Sequence, residues 1–137
     1  MLRALALANL IALHQKRYIG SLSAYCGAVS AATGSACGIA WMLGAGYEEI
    51  CGVIVNSINT TGGMVCDGAK SSCASKIATA VGMALLGMDM SRKGRVLLPG
   101  EGMIREDIED SIANIGRMGR VGMKSTDVEI LNIMLGK

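Results

Sequence analysis

A long uncharged stretch rich in small residues constrains this chain more than any other feature of its sequence. No Asp, Glu, Lys or Arg lies between Tyr18 and Tyr47, and Ala, Gly, Ser and Thr fill most of the positions. Small residues spaced three and four apart allow neighbouring helix backbones to approach closely, which is typical of a helix buried by protein on several sides. The stretch is also long enough to cross a bilayer. Breaks at Gly20 and Gly27 favour the buried helix, and a membrane span stays as the alternative.

The overall composition favours an all-α fold, in a single domain over residues 1–137. Hydrophobic residues make up 51% of the sequence, but it has no Phe, one Trp and three Tyr, so its bulk comes from Ala, Leu, Ile, Val and ten Met. Ala, Leu and Met favour helices, whereas aromatic residues favour strands. A net charge of +2, with no aromatic platform beside the basic residues, argues against nucleic-acid binding.

The hydrophobic pattern predicts a compact bundle of five to six helices. Glycine-containing breaks separate the first four, at about 2–18, 26–43, 47–58 and 71–90, and isoleucines recur at helical spacing in the next (Ile104, Ile108, Ile112 and Ile115). Thr126 and Glu129 have the spacing of a capping box, which predicts a last helix through Leu135. Because the first ninety residues carry little surface chemistry, we expect a large interface with other protein.

The cysteines and the N-terminus indicate a cytoplasmic protein with reduced thiols. The chain has five cysteines, an odd number, and no CxxC pair, which is unlike a disulfide framework. The apolar run from Met1 to Leu13 imitates a signal peptide, but it continues into His14-Gln-Lys-Arg17 without a small-residue cleavage site. His14 lies on an otherwise apolar helix, where a structural role is more typical than that of a base.

The stretch from Thr61 to Cys73 concentrates the chemistry of the chain. It is a glycine-rich turn that contains Cys66, Asp67 and Lys70, and it leads into a predicted helix. Backbone amides at the start of a helix form an anion site, and thiolates bind soft metals. The turn therefore suggests a cysteine-bound metal beside an anion site. Lys76, in the helix that follows, is expected to be solvated or paired with Asp67.

Among the cysteines, those near helix starts are the better metal-ligand candidates. Cys26 stands at the start of the second helix, where the helix dipole stabilises a thiolate. Cys66 lies in the glycine-rich turn and Cys73 at the start of the helix after it. Cys37 and Cys51 lie in apolar helical stretches, where cysteine behaves as a small hydrophobe. Spacing alone leaves the existence of a metal site open.

Two segments of the chain, in this order, resemble one known family. The first runs from Cys26 to Gly44 and the second from Gly63 to Cys73. Together they resemble the C-terminal part of the iron–sulfur-dependent serine dehydratase alpha-chain superfamily, closest to its L-cysteine desulfidase branch. The tail from Glu101 to Asp127 fits the same branch, so that the resemblance covers nearly the whole chain from Ser21.

The resemblance implies a fold, a reaction and a cofactor. It implies an all-helical lyase that converts L-cysteine or L-serine to pyruvate and ammonia, with sulfide as a further product from cysteine. It also implies a [4Fe–4S] cluster held by three cysteines, with one iron left open as a Lewis acid for the substrate. Cys26 and Cys66 match two of the ligand positions of the family.

Further site residues are carried over from the turn that contains Cys66. Asp67 and Lys70 are the candidate catalytic residues, and Gly68 is a candidate for substrate binding. The backbone amides near Gly62 and Gly63 are a physical suggestion for holding the substrate carboxylate.

The chain departs from the family pattern at the third ligand. In the desulfidase branch this cysteine comes from near the start of a longer chain, and in the serine dehydratase branch it follows the second ligand in a longer segment. Cys73 is therefore a candidate substitute. We expect the cluster-binding portion of a longer enzyme, inactive alone, that binds a small amino acid, forms homo-oligomers and needs an N-terminal domain or a partner chain.

Two alternatives to this reading stay open. In the first, the chain is a non-catalytic structural subunit that packs on a separate catalytic chain. In the second, it is a small integral membrane protein.

Overall fold

The computed structural model covers residues 1–137 and confirms the all-α prediction. Six α-helices and one π-helical segment follow one another without a β-strand. The α-helices are α1 (Leu2–Ile19), α2 (Gly27–Met42), α3 (Tyr47–Thr61), α4 (Cys73–Arg92), α5 (Ile108–Arg117) and α6 (Lys124–Met134), and the π-helix spans Met118–Gly122. Helix α1 packs on α2, α2 and α3 pack on α4, and α5 packs against α1 and α3.

Glycines in α2 let this helix pack closely on α1. A Cβ atom at Gly38 would lie 2.8 Å from the carbonyl oxygen of Ala4, and one at Gly34 would collide with the carbonyl oxygen of Ala8. Only a residue without a Cβ atom permits this approach of the two backbones. Cys37 is fully buried beside them, and this burial raises the pKa of its thiol to about 12. It therefore packs as a small hydrophobic residue.

The buried Asn56 fixes α4 and the connection after it onto α3. Its Nδ2 donates to the carbonyl oxygens of Gly87 at 3.1 Å and Arg95 at 3.0 Å, and its Oδ1 accepts from the backbone N–H of Leu97 at 3.1 Å. A buried amide with both its donor and its acceptor satisfied favours one register between the two helices.

The amphipathic helix predicted from the isoleucines starts later than its first isoleucine. Ile104 lies in the preceding loop, although its side chain is buried. Helix α5 begins at Ile108 because Asp107 caps it, accepting a hydrogen bond from the backbone N–H of Glu109 at 2.8 Å. A buried isoleucine in a loop produces the same spacing as one more turn of helix.

The capping box predicted at Thr126 and Glu129 is wrong. Helix α6 begins at Lys124, so that Thr126 lies inside it, and no side chain caps its first turn. The reason is the π-helical turn, which leads from α5 to the start of α6 with a single residue, Met123, between them. Gly119, within the π-helix, serves close packing: a Cβ atom there would lie 3.1 Å from the Cβ atom of Tyr25.

No single helix follows the uncharged stretch from Tyr18 to Tyr47. The end of α1, a turn and α2 divide it, and α2 has 16 residues, whereas a bilayer span needs about 20. Helix α4 is long and apolar enough to cross a membrane, by length and composition only, and 17% of its most apolar 18-residue stretch is buried. One such helix is weak evidence for a span, because core helices pass the same test.

A methyl group added at Gly34 is expected to destabilise the fold. Gly34→Ala should cost about 1 to 3 kcal/mol, because the added Cβ forces α1 and α2 apart. Gly82→Ala is the matched control, since a Cβ atom there meets nothing within 4 Å and removes the glycine penalty in a helix, about 0.5 to 1 kcal/mol. Urea denaturation followed by circular dichroism measures both. A Gly34→Ala variant as stable as the parent would contradict the close helix packing.

Candidate functional site

A short backbone pairing joins the segment before α2 to the glycine-rich loop after α3. Tyr25 and Val65 form an isolated antiparallel bridge. Two backbone hydrogen bonds flank this pair, from the Cys26 N–H to the Met64 carbonyl (3.0 Å) and from the Cys66 N–H to the Ala24 carbonyl (2.6 Å). Two cysteines that are distant in the sequence therefore lie on neighbouring extended segments.

The same pairing places the two thiols on one face. Successive residues of extended backbone point to opposite faces, so Cys26 and Cys66, each one residue past the Tyr25–Val65 pair, share the face opposite to that pair. They are diagonal neighbours, and this relation separates the Cα atoms by roughly 7 to 8 Å in a regular sheet. Tyr25 points the other way into the core, where burial raises the pKa of its hydroxyl.

Three cysteines line one cleft of about 480 Å³ between α2 and α4. Cys26 is the N-cap of α2, Cys66 lies in the loop, and Cys73 is the first residue of α4. All three are free thiols. The Sγ of Cys73 lies 3.5 Å from the carbonyl oxygen of Gly68, and 3.5 Å from the backbone nitrogen of Lys70, which donates to it. Mostly small and apolar side chains of α2 and α4 complete the lining.

Lys76 links the Cys66 loop to α4. Its Nζ donates to the carbonyl oxygen of Val65 at 2.8 Å and forms an ion pair with Asp67, which also pairs with Lys70. Hydrogen bonds from Lys70 and from Lys76 hold the pKa of Asp67 well below its usual range. The two residues that flank Cys66 are therefore both held by one lysine side chain.

The structure brings some of the sequence-predicted site residues to the cleft and leaves others outside its lining. Gly68 lines the cleft beside the thiols and has a φ of 91°, which glycine adopts without strain. Asp67 lines a neighbouring cleft beside α6, and the side chain of Lys70 is half exposed at the loop. Gly62 and Gly63 lie at the end of α3, and neither is part of the lining.

Lys76 belongs to the cleft, although its sequence context suggests only solvation or pairing with Asp67. The pairing is present, and Lys76 is also the one charged residue in the lining. A sequence signal for this position exists, because Lys76 follows Cys73 by three residues and residues three apart share a helix face. That signal is too common in helices to select Lys76 alone.

The donor set of the cleft does not form a site for a single metal ion. No three His, Cys, Asp or Glu side chains converge closely enough to hold one ion. An iron–sulfur cluster binds each thiolate through a different iron atom, so that its ligands need not converge on one point.

His14 lies away from this cleft and makes structural contacts. Its Nε2 lies 2.6 Å from the Oε2 atom of Glu109, and its ring packs edge-on against Tyr18. The pair connects α1 to α5, which is the structural kind of role that the sequence suggested.

The fold and the cleft define a class of protein: an all-α protein that presents three thiols, a lysine and a glycine-rich loop between two helices. The chain belongs to the serine dehydratase alpha chain family, which matches it over residues 1–132. Similar proteins include UPF0597 proteins of Desulfitobacterium hafniense, 53% identical, Treponema denticola, 47% identical, and Bacteroides fragilis, 44% identical. No solved structure matches the chain significantly.

The chain spans about a third of the length of the curated relatives that it matches. The alignments include 98% of this chain and 31% of the Desulfitobacterium protein, and 100% of this chain and 32% of the Bacteroides fragilis protein. The relatives therefore carry a large additional part beside the region described here.

Removal of the Lys76 ammonium group is expected to loosen the Cys66 loop. Lys76→Met removes the contacts to both Val65 and Asp67, so backbone amides of residues 62–72 should exchange faster with deuterated solvent while those of α3 do not. Lys70→Met is the matched control, because it takes one partner from Asp67 but leaves the contact with Val65. Exchange in Lys76→Met equal to that of the parent would contradict the linking role.

Proposed function

We propose that this chain is the thiol-bearing portion of an iron–sulfur-dependent lyase that removes the β-substituent of L-cysteine or L-serine. Membership of the serine dehydratase alpha chain family supports this reaction class. The single observation that carries the proposal is the cleft, because Cys26, Cys66 and Cys73 line it together.

In this proposal the three cysteines of the cleft are the ligands of a [4Fe–4S] cluster. When bound, a cluster with one open iron supplies a Lewis acid for the carboxylate and the leaving group of the substrate. Backbone hydrogen bonds position Cys26 and Cys66. Cys73 has less support, since its Sγ contacts the carbonyl oxygen of Gly68 and has to leave that contact to bind iron.

In this proposal Lys76 attracts the substrate, and Asp67 orients the two lysine side chains. Lys76 is the cation of the cleft lining, and its field attracts a substrate carboxylate. Asp67 is paired with two ammonium groups and its pKa is lowered. A carboxylate of this kind is a weak base, so we assign Asp67 the orientation of Lys70 and Lys76. The base that removes the α-proton is expected from the remaining part of the protein.

Whether thiols stay reduced depends on the cellular compartment in which the protein works. Free thiols at an open cleft persist in a reducing compartment, and we therefore propose a cytoplasmic location. The additional length of the relatives supports a requirement for a further domain or a partner chain. Homo-oligomer formation stays a prediction.

Iron and acid-labile sulfide after anaerobic reconstitution test the cluster. We expect the parent chain to bind both, and Cys66→Ala and Cys26→Ala to lose at least half of the bound iron. Cys51→Ala is the matched control, because Cys51 is a free thiol outside the cleft lining. A similar loss of bound iron in Cys73→Ala would identify Cys73 as the third ligand.

Two other outcomes of the reconstitution contradict the cluster. Equal iron in the parent and in Cys66→Ala would place any bound iron elsewhere. Absence of iron both in the chain alone and in the chain joined to the remaining part of the relative would leave the non-catalytic subunit as the better reading.

The isolated chain is expected to release no pyruvate from L-cysteine or L-serine. Its cleft is open to solvent and supplies no free base. The chain joined to the remaining part of the Desulfitobacterium relative should form pyruvate after reconstitution, and a coupled assay of pyruvate measures both. Turnover by the chain alone at an enzyme-like rate would contradict the proposal that a further part is required.

A further inference from the structure

An uncharged groove continues from the thiol cleft along the exposed faces of α2 and α4. On α4, Ile77, Val81 and Leu85 recur every four residues and are 52%, 38% and 37% exposed. Ile77 and Val81 also line the thiol cleft, so that the groove and the cleft are continuous. Apolar side chains exposed on consecutive turns mark a surface that another molecule covers.

Helix α2 forms the other wall of the groove. Ala28, Ala31 and Ser35 line the cleft, and Ile39 and Met42, which are 41% and 53% exposed, continue at the spacing of the same helix face. Helix α2 has no charged residue, and α4 has none between Lys76 and Asp89. An uncharged groove between two helices, lined mostly by apolar side chains, suits the apolar face of a packed helix.

The other side of α4 shows that this helix belongs to the bundle. Ala80, Ala84 and Gly87 are buried, and the Asn56 side chain holds the Gly87 carbonyl. A bilayer span would have to give up these contacts. The relatives, in contrast, carry about two thirds of their length outside the matched region, since the match covers 31% of the Desulfitobacterium protein. In the relatives, protein of the same polypeptide is therefore available to cover the corresponding groove.

We propose that the α2–α4 groove receives the part of the polypeptide that the relatives carry beyond the matched region, and that its docking closes the thiol cleft. The proposed docking depends on apolar packing alone and does not need a bound cluster. Only the consequence of closure, a sheltered cluster, rests on the proposed function.

Co-purification tests the docking. The chain is co-expressed with the unmatched part of the Desulfitobacterium UPF0597 protein, and we expect a stable complex that Val81→Glu weakens at least tenfold. Thr79→Glu is the matched control: Thr79 is exposed on α4 and, two residues away, points about 200° around the helix from Val81. Circular dichroism establishes that both variants fold.

Several outcomes overturn the proposal. Binding by Val81→Glu equal to that of Thr79→Glu places the contact elsewhere. A dimer of the chain that Val81→Glu dissociates, in the presence of the unmatched part, identifies a second copy as the occupant. Sedimentation with phosphatidylcholine–phosphatidylglycerol vesicles, without binding of the unmatched part, identifies a membrane.

A second measurement tests the docking if the unmatched part is insoluble on its own. In one polypeptide that joins both parts, alkylation at position 85 of a Leu85→Cys variant should be at least tenfold slower than in the chain alone, and equal rates overturn the proposal. The co-purification is repeated with Cys66→Ala. Docking that persists in this variant while iron is absent separates a failure of the cluster from a failure of the docking.

Discussion

The antiparallel pairing of Tyr25 with Val65 is the contact on which the candidate site depends. Cys26 and Cys66 belong to two different interhelical connections, and loops of this length would otherwise sample many relative positions. The hydrogen bonds from Cys26 to Met64 and from Cys66 to Ala24 remove that freedom. Because the pairing is extended, it also selects the face on which both thiols lie. Position and direction of the two thiols are thus set by backbone, which few side-chain substitutions disturb.

The close packing of α1 on α2 explains why one side of α2 carries no charge. Gly34 and Gly38 bring the α2 backbone against α1, and burial on that side excludes charged side chains. The opposite side of α2 is uncharged as well, although nothing in α1 requires it. An uncharged outer face, next to the exposed apolar side chains of α4, is typical of a surface that another molecule covers. In the relatives, the additional length is available to cover the corresponding surface.

The sequence predicts the helices well and the site only in part. Glycine breaks end the first helices within a few residues of their predicted bounds, because glycine gives up backbone entropy in a helix. Ile104 misleads because a buried loop residue mimics helical spacing, and Thr126 misleads because a π-helical turn replaces the expected cap. The meeting of Cys26 with Cys66 depends on a long-range pairing that no periodicity encodes, and only the family resemblance suggested it. For the same reason, the contact of Lys76 with Val65 is not predictable from local sequence.

The three thiols differ in how firmly the fold holds them, and this difference has a consequence for the proposed enzyme. Cys26 and Cys66 share one backbone pairing, whereas Cys73 starts α4 and is related to them through that helix. Lys76, three residues further along α4, holds the helix to the Cys66 loop through Val65 and Asp67. The α2–α4 groove begins on the same helix at Ile77, directly after Lys76. A molecule that fills this groove would contact the helix that carries Cys73, so the proposed cover of the apolar surface would lie directly beside the proposed thiol site.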